Sequence, residues 1–189
     1  LFNIHEQCWD ATLLTRFQVP EAILPQVLDT ADNFGTSDAD VLGESILIGA
    51  LVGDQQAALV GQGCLKTGML KSTYGTGCFA ILNTGDNALA SRHRLLTTIA
   101  YRLDGVPTYA LEGSIFMAGA SVQWLRDELG LVKSAEETAT LASGLDSNEG
   151  VYLVPAFTGL GAPHWNPHAR GTLLGMTRAT GPAHIARAT

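Results

Sequence analysis

At 189 residues, 46% hydrophobic and only 15% charged, the chain has enough apolar mass for one good core or two small ones, and too little charge to stay unfolded. Its net charge of −7, with no Lys or Arg between Arg16 and Lys66, argues against a nucleic-acid surface, which needs clustered cations. No apolar run approaches the roughly 20 residues of a membrane-spanning helix.

The chain opens on LFNIHEQCWD, with neither an initiator Met nor a signal-peptide pattern, and reads as an interior piece of something longer. In WDATLLTRF, Leu13, Leu14 and Phe17 recur at helical spacing, and PEAILPQVL is a proline-bounded turn of helix. The acidic stretch DTADNFGTSDADVLGES reads as a loop or short edge strand. ILIGALVG, Ile46 to Gly53, then reads as a buried strand, and QQAALVGQGCL as a helix with Gly61 and Gly63 near its end. A seam near Gly61–Lys66 hands over to a β-rich region. GMLKSTYGT and GCFAILNTG flank a Gly-Thr-Gly turn, and Asp104-Gly105 marks a hairpin within LLTTIAYRLDGVPTYALEG. SIFMAGASVQWLRDELG predicts a helix with Phe116, Ala120, Gln123 and Trp124 near one face. AEETATLASGL predicts a second helix, ending at Gly144. GVYLVPAF and TLLGMTR predict strands on either side of the loop TGLGAPHWNPHARG, and PAHIARAT begins another helix.

Four constellations could carry chemistry. Asp54, in VGDQQAALVGQGC, follows an apolar run and precedes two carboxamides, Gln55 and Gln56. At the C-terminal end of a strand it would face a ligand, as strand ends do in open α/β sheets; it could equally be a helix N-cap. STYGTGCF, Ser72 to Phe79, has the makings of an anion-binding turn, with Gly75 and Gly77 for close approach and Thr73 and Thr76 as hydroxyl donors. It lacks the lysine of a P-loop, and it also fits a plain hairpin turn. Gly119 and Gln123 lie four apart on one helical face, where the glycine could admit a flat ligand or simply a neighbouring element. His164 and His168 have metal-ligand spacing, but Pro163 and Pro167 break a helix through them, so a structured loop is expected. The three cysteines, Cys8, Cys64 and Cys78, are odd in number and widely spaced, as in a reduced cytosolic protein.

Together GDQQAALVGQ (53–62), STYGTGCFAILNTG (72–85), LEGSIFMAGASVQWLRD (111–127), VPAFTGLGAPHWNPHARG (154–171) and GTLLGMTRATGPAHIARAT (171–189) resemble the FGGY carbohydrate kinase family. The Gly-Asp-Gln-Gln form of the first motif resembles its glycerol kinases more than its xylulokinase-like members, which carry Gly-Asp-Asn. The resemblance implies an α/β, actin-like ATPase (RNase H-like) fold, here partial. Residues 1–62 would be the end of the N-terminal substrate domain and residues 63–189 the first part of the C-terminal nucleotide-binding domain. It implies ATP-dependent phosphorylation of glycerol to glycerol 3-phosphate, with Mg²⁺. Asp54 would be the general base, and Asp54 and Gln55 would bind glycerol. Thr76 would contact the nucleotide phosphates, and Gly119 and Gln123 would line the nucleoside pocket. Glycerol and ATP/ADP are the implied partners, with neither nucleic acid nor membrane, in a cytoplasmic protein that is homo-oligomeric at full length. The family's N-terminal phosphate-binding hairpin and its glycerol-binding Arg, Glu and Tyr are missing from these residues, so the piece alone is expected to be inactive. Its acidic loop Phe34–Ser45 lacks the Arg through which bacterial members bind the inhibitor fructose 1,6-bisphosphate. The competing reading is a non-catalytic actin-like module acting as a binding protein. Such a module would have no use for Asp54 beside Gln55.

Overall fold

The computed structural model describes residues 1–189, which divide into two compact units. The first comprises Leu1–Lys71, Ile81–Arg92 and Leu96–Glu112; the second comprises Ser72–Ala80, His93–Leu95 and Gly113–Thr189. In chain order the elements are strands β1 (Phe2–Asn3) and β2 (Cys8–Trp9), and helices α1 (Ala11–Phe17), α2 (Ala39–Leu42) and α3 (Asp54–Gly61). Strands β3 (Leu70–Tyr74), β4 (Cys78–Gly85), β5 (Leu96–Leu103) and β6 (Val106–Ile115) follow. Helices α4 (Gly119–Asp127) and α5 (Ala135–Ser143), strands β7 (Tyr152–Val154) and β8 (Thr172–Leu174), and helix α6 (Pro182–Ala188) complete the chain. One four-stranded sheet has the order β3-β4-β6-β5.

In the first unit, Asp10 caps α1, its carboxylate accepting the Leu13 N–H at 2.9 Å. The β5–β6 hairpin turns at Asp104-Gly105 with φ of 51° and 74°, the left-handed pair a two-residue hairpin turn requires. The core gathers Leu59 of α3 with Cys64, Ile81, Ala100 and Ala110. Asn83 is buried within this unit and fully engaged: its amide donates to Cys64 O at 3.0 Å and its carbonyl accepts from Gly85 N–H at 2.9 Å. Tyr109 Oη donates to Ile4 O at 2.9 Å, tying the β1–β2 ribbon to β6.

Two expectations fail here. Ile46–Gly53 is not a buried strand. It makes isolated bridges, Thr36 with Leu47 and Ala31 with Ala50, and Ile46, Leu47, Ile48, Leu51 and Val52 stay 38–61% exposed. A fully apolar run reads as a buried strand only when both faces are covered. Within this unit its hydrogen bonds run to the irregular segment 30–37, as in Phe34 N–H to Ile48 O at 3.0 Å. The acidic stretch before it is not wholly loop, because Asp38 caps the four-residue α2, accepting from Asp40 N–H at 2.9 Å.

In the second unit, Leu125, Val132 and Ala186 form the core, flanked by Trp124, Leu131, Leu141 and Ile185. Strands β7 and β8 pair antiparallel, Tyr152 opposite Leu174. The Arg187 guanidinium donates to Ala142 O at 2.7 Å, satisfying a carbonyl of the last turn of α5. The helix expected from Ser114 starts only at Gly119, because Ser114 and Ile115 finish β6. Phe116 therefore lies outside the helical face assigned to it and packs edge-on against Trp165, centroids 6.4 Å apart. No helix in the chain is long and apolar enough to cross a membrane.

Candidate active site

Gly53, not Asp54, is the N-cap of α3, and Asp54 is the first helical residue. Since the preceding residues are not a strand, Asp54 stands at a helix start after an irregular segment. Its side chain is exposed and makes no ion pair. Oδ1 accepts the Gln55 backbone N–H at 2.8 Å, and Oδ2 accepts from Gln55 Nε2 at 3.4 Å. Gln55 is half-buried, and its Oε1 accepts from the Lys71 ammonium. Gln56 folds back over the cap: a Cβ at Gly53 would meet its Oε1 at 2.7 Å. Asp54 and Gln55 thus come together within the first unit as a carboxylate and a carboxamide side by side.

Thr76, Gly119 and Gln123 belong to the second unit. The Gly75–Gly77 turn is closed by Gly75 N–H to Gly77 O at 2.8 Å. It is then bolted to the start of α4. Gly119 N–H donates to Gly75 O at 2.9 Å, and Ala118 and Ala120 N–H donate to Thr76 O at 2.8 and 3.2 Å. A side chain on Gly119 would bring Cβ to 2.7 Å from Gly75 O, and one on Gly77 would bring it to 2.5 Å from Ile115 O. Both glycines are therefore required for backbone to approach backbone, rather than to open room for a ligand. The first N–H groups of α4 are consumed by the turn, and Thr76 on that turn is exposed. Gly119 and Gln123 are exposed on one side of α4. Leu125 is buried, and Trp124 packs on Phe157 with centroids 4.7 Å apart. The Gly119–Gln123 face is thus not the packing face of the helix.

His164 and His168 sit in a structured loop, as the flanking prolines predict. Arg94 donates to His164 O at 3.0 Å, Asn166 Oδ1 accepts the His168 N–H at 2.9 Å, and no group of three metal-ligating side chains forms anywhere in the chain. Cys8, Cys64 and Cys78 are free thiols. Sequence reasoning missed Lys71. The available signal was a cation inside a β-strand pattern, four residues ahead of the Gly75-Thr76-Gly77 turn.

Residues 70–189 match the C-terminal domain of the FGGY family of carbohydrate kinases. The whole chain is 63% identical over 188 residues to the glycerol kinase of Rhodospirillum centenum and 61% identical to that of Alcanivorax borkumensis, and it spans 38% of the length of each. It superposes on the crystal structure of Plasmodium falciparum glycerol kinase with ADP, with a TM-score of 0.86 and 37% identity. That match covers all of this chain and 38% of the other. The α/β architecture is accordingly part of the actin-like ATPase fold of these kinases. The chain belongs to the FGGY family of carbohydrate kinases.

Proposed function

We propose that this chain is part of an ATP:glycerol 3-phosphotransferase, with residues 1–62 closing its substrate domain and residues 63–189 opening its nucleotide-binding domain. The observation that carries this reading is the exposed Asp54 carboxylate with the Gln55 amide against it, in a chain 63% identical to a glycerol kinase. Asp54 takes the proton of the attacking glycerol hydroxyl as its oxygen bonds to the γ-phosphorus of ATP and the bond to the ADP oxygen breaks. Gln55 holds the glycerol by its amide. In the second unit the Thr76 hydroxyl hydrogen-bonds phosphate oxygens. Gly119 and the Gln123 amide, exposed together on one side of α4, receive the nucleoside. The hydroxyl and the amide are neutral hydrogen-bonding groups that add no positive charge. The exposed Asp54 carboxylate, engaged in no ion pair, fits Mg²⁺ bound in the usual kinase manner, through one or two carboxylates plus substrate phosphates. Asp54 would hold it together with the substrate phosphates, and when bound the ion would neutralise charge on the phosphoryl oxygens. The protein is read as a cytoplasmic homo-oligomer.

The test is Asp54→Asn in the full-length protein. Turnover should fall by about 10²–10⁴-fold while ATP affinity stays near the parent value. Near-normal turnover would remove Asp54 from the mechanism.

A further inference from the structure

Strand β3 runs against the usual alternation. Leu70 is 56% and Tyr74 80% exposed, whereas Lys71 between them is 1% exposed. Half-solvated strands ordinarily turn apolar side chains inward and leave cations in water. An ammonium removed from water is costly unless acceptors surround it, so its hydrogen bonds carry weight. One of them goes to Gln55 Oε1, in the helix that opens with Asp54.

That bond has a directional consequence. Lysine has three N–H donors and no acceptor, so it can hold a carboxamide only by its oxygen. The other end of the Gln55 amide, Nε2, is thereby turned away and lies 3.4 Å from Asp54 Oδ2. An acceptor-only carboxylate and a donor-only amide nitrogen now stand side by side. A hydroxyl group is both donor and acceptor. It can give its proton to Asp54 while its oxygen accepts from Gln55 Nε2. With the amide flipped, Gln55 would offer a second acceptor, compete for the same proton and put its oxygen against the carboxylate. The ammonium at Oε1 also polarises the amide and strengthens Nε2–H as a donor.

We propose that Lys71 is a positioning residue for phosphoryl transfer. Its ammonium locks the Gln55 carboxamide with Nε2 toward Asp54, so that the pair accepts a polyol hydroxyl in one orientation, its proton aimed at the carboxylate. This rests on reading Asp54 and Gln55 as the glycerol-facing pair.

The experiment is a double-mutant cycle in the full-length kinase, with Lys71→Met, Gln55→Ala and both together, measuring KM for glycerol, KM for ATP and kcat. Lys71→Met should lower kcat/KM for glycerol by roughly 10- to 100-fold, the loss of one charge-assisted hydrogen bond, with KM for ATP unchanged. The double variant should be no worse than Gln55→Ala alone, because Lys71 acts through Gln55. Lys71→Arg keeps a donor and should recover most of the loss. Additive losses, or unchanged glycerol kinetics in Lys71→Met, would overturn the proposal. If Gln55→Ala itself leaves glycerol kinetics untouched, the substrate reading of Gln55 fails and the proposal goes with it. Should Lys71→Met not fold, Gln55→Glu decides the matter with Lys71 in place. The ammonium then holds the new carboxylate, so the melting temperature stays at or above the parent's while KM for glycerol rises. A melting temperature clearly below the parent's would show that Lys71 is not seated on residue 55.

Discussion

Asp29 shows how one side chain can gather a segment that has no regular structure. Its Oδ2 accepts the Gly105 N–H at 2.7 Å, and its Oδ1 accepts from Arg102 Nε at 2.5 Å, with the carboxylate 15% exposed. Arg102 also donates to Gln7 Oε1 at 3.2 Å, and its backbone N–H donates to Thr30 Oγ1 at 3.0 Å. The hydrogen bond from the Gly105 N–H, followed by the Arg102 guanidinium, holds the Asp29 carboxyl below its ordinary value. The sign follows from linkage. A carboxyl whose folded pKa lies below its unfolded one stabilises the fold above the unfolded pKa, about 3.9, and loses that contribution as pH falls through the folded value. Asp29→Asn in the full-length protein should therefore lower the melting temperature at neutral pH, and the difference from the parent should shrink as pH falls below about 4. A difference that persists unchanged into that range would mean the charge of Asp29 is not what stabilises. None of this network was legible in the sequence. Residues 7, 29 and 102 share no motif, and only the return of the chain alongside β5 brings them together.

At the scale of elements, local signals served where one element sets its own geometry. The Asp104-Gly105 turn, the Gly144 end of α5 and the start of α6 at Pro182 are all where their residue chemistry predicts. They failed where a neighbour decides, as at Ile46–Gly53. The acidic loop Phe34–Ser45 lies between these cases. Its residues 38–42 wind into a capped turn of helix, but Asp38, Asp40 and Glu44 are all exposed. The N-terminus of that turn is already taken by the Asp38 carboxylate. A bisphosphate approaching this loop meets carboxylates and no cation, and a like-charge pair at ~4 Å costs on the order of 4 kcal/mol at an effective dielectric of about 20, before salt screening. The full-length kinase should thus be insensitive to fructose 1,6-bisphosphate in a turnover assay. Saturable inhibition that disappears when this loop is replaced would contradict it.

On the scale of the whole molecule, the 189 residues hold two sets of candidate site residues, each assembled inside its own unit, and span 38% of the length of their glycerol kinase relatives. Phosphoryl transfer depends on positioning and charge stabilisation from several directions at once. The isolated chain should give no glycerol-dependent ADP release. With Ile46, Leu47, Leu51 and Val52 open to solvent, it should also self-associate in light scattering. Robust turnover by the isolated chain would show that the substrate clamp lies within these residues. The sequence by itself determined the family, the alternation of strands and helices after Lys66, and the identity of Asp54, Gln55, Thr76, Gly119 and Gln123 as candidates. Those rest on residue type and on spacing along the chain, which the sequence states outright. Only the tertiary structure decided that Gly77 and Gly119 serve backbone packing, that Gln123 faces outward while Leu125 faces in, and that Lys71 is buried against Gln55. Burial and hydrogen-bond direction depend on which distant backbone lies alongside, and no local pattern of residues encodes that.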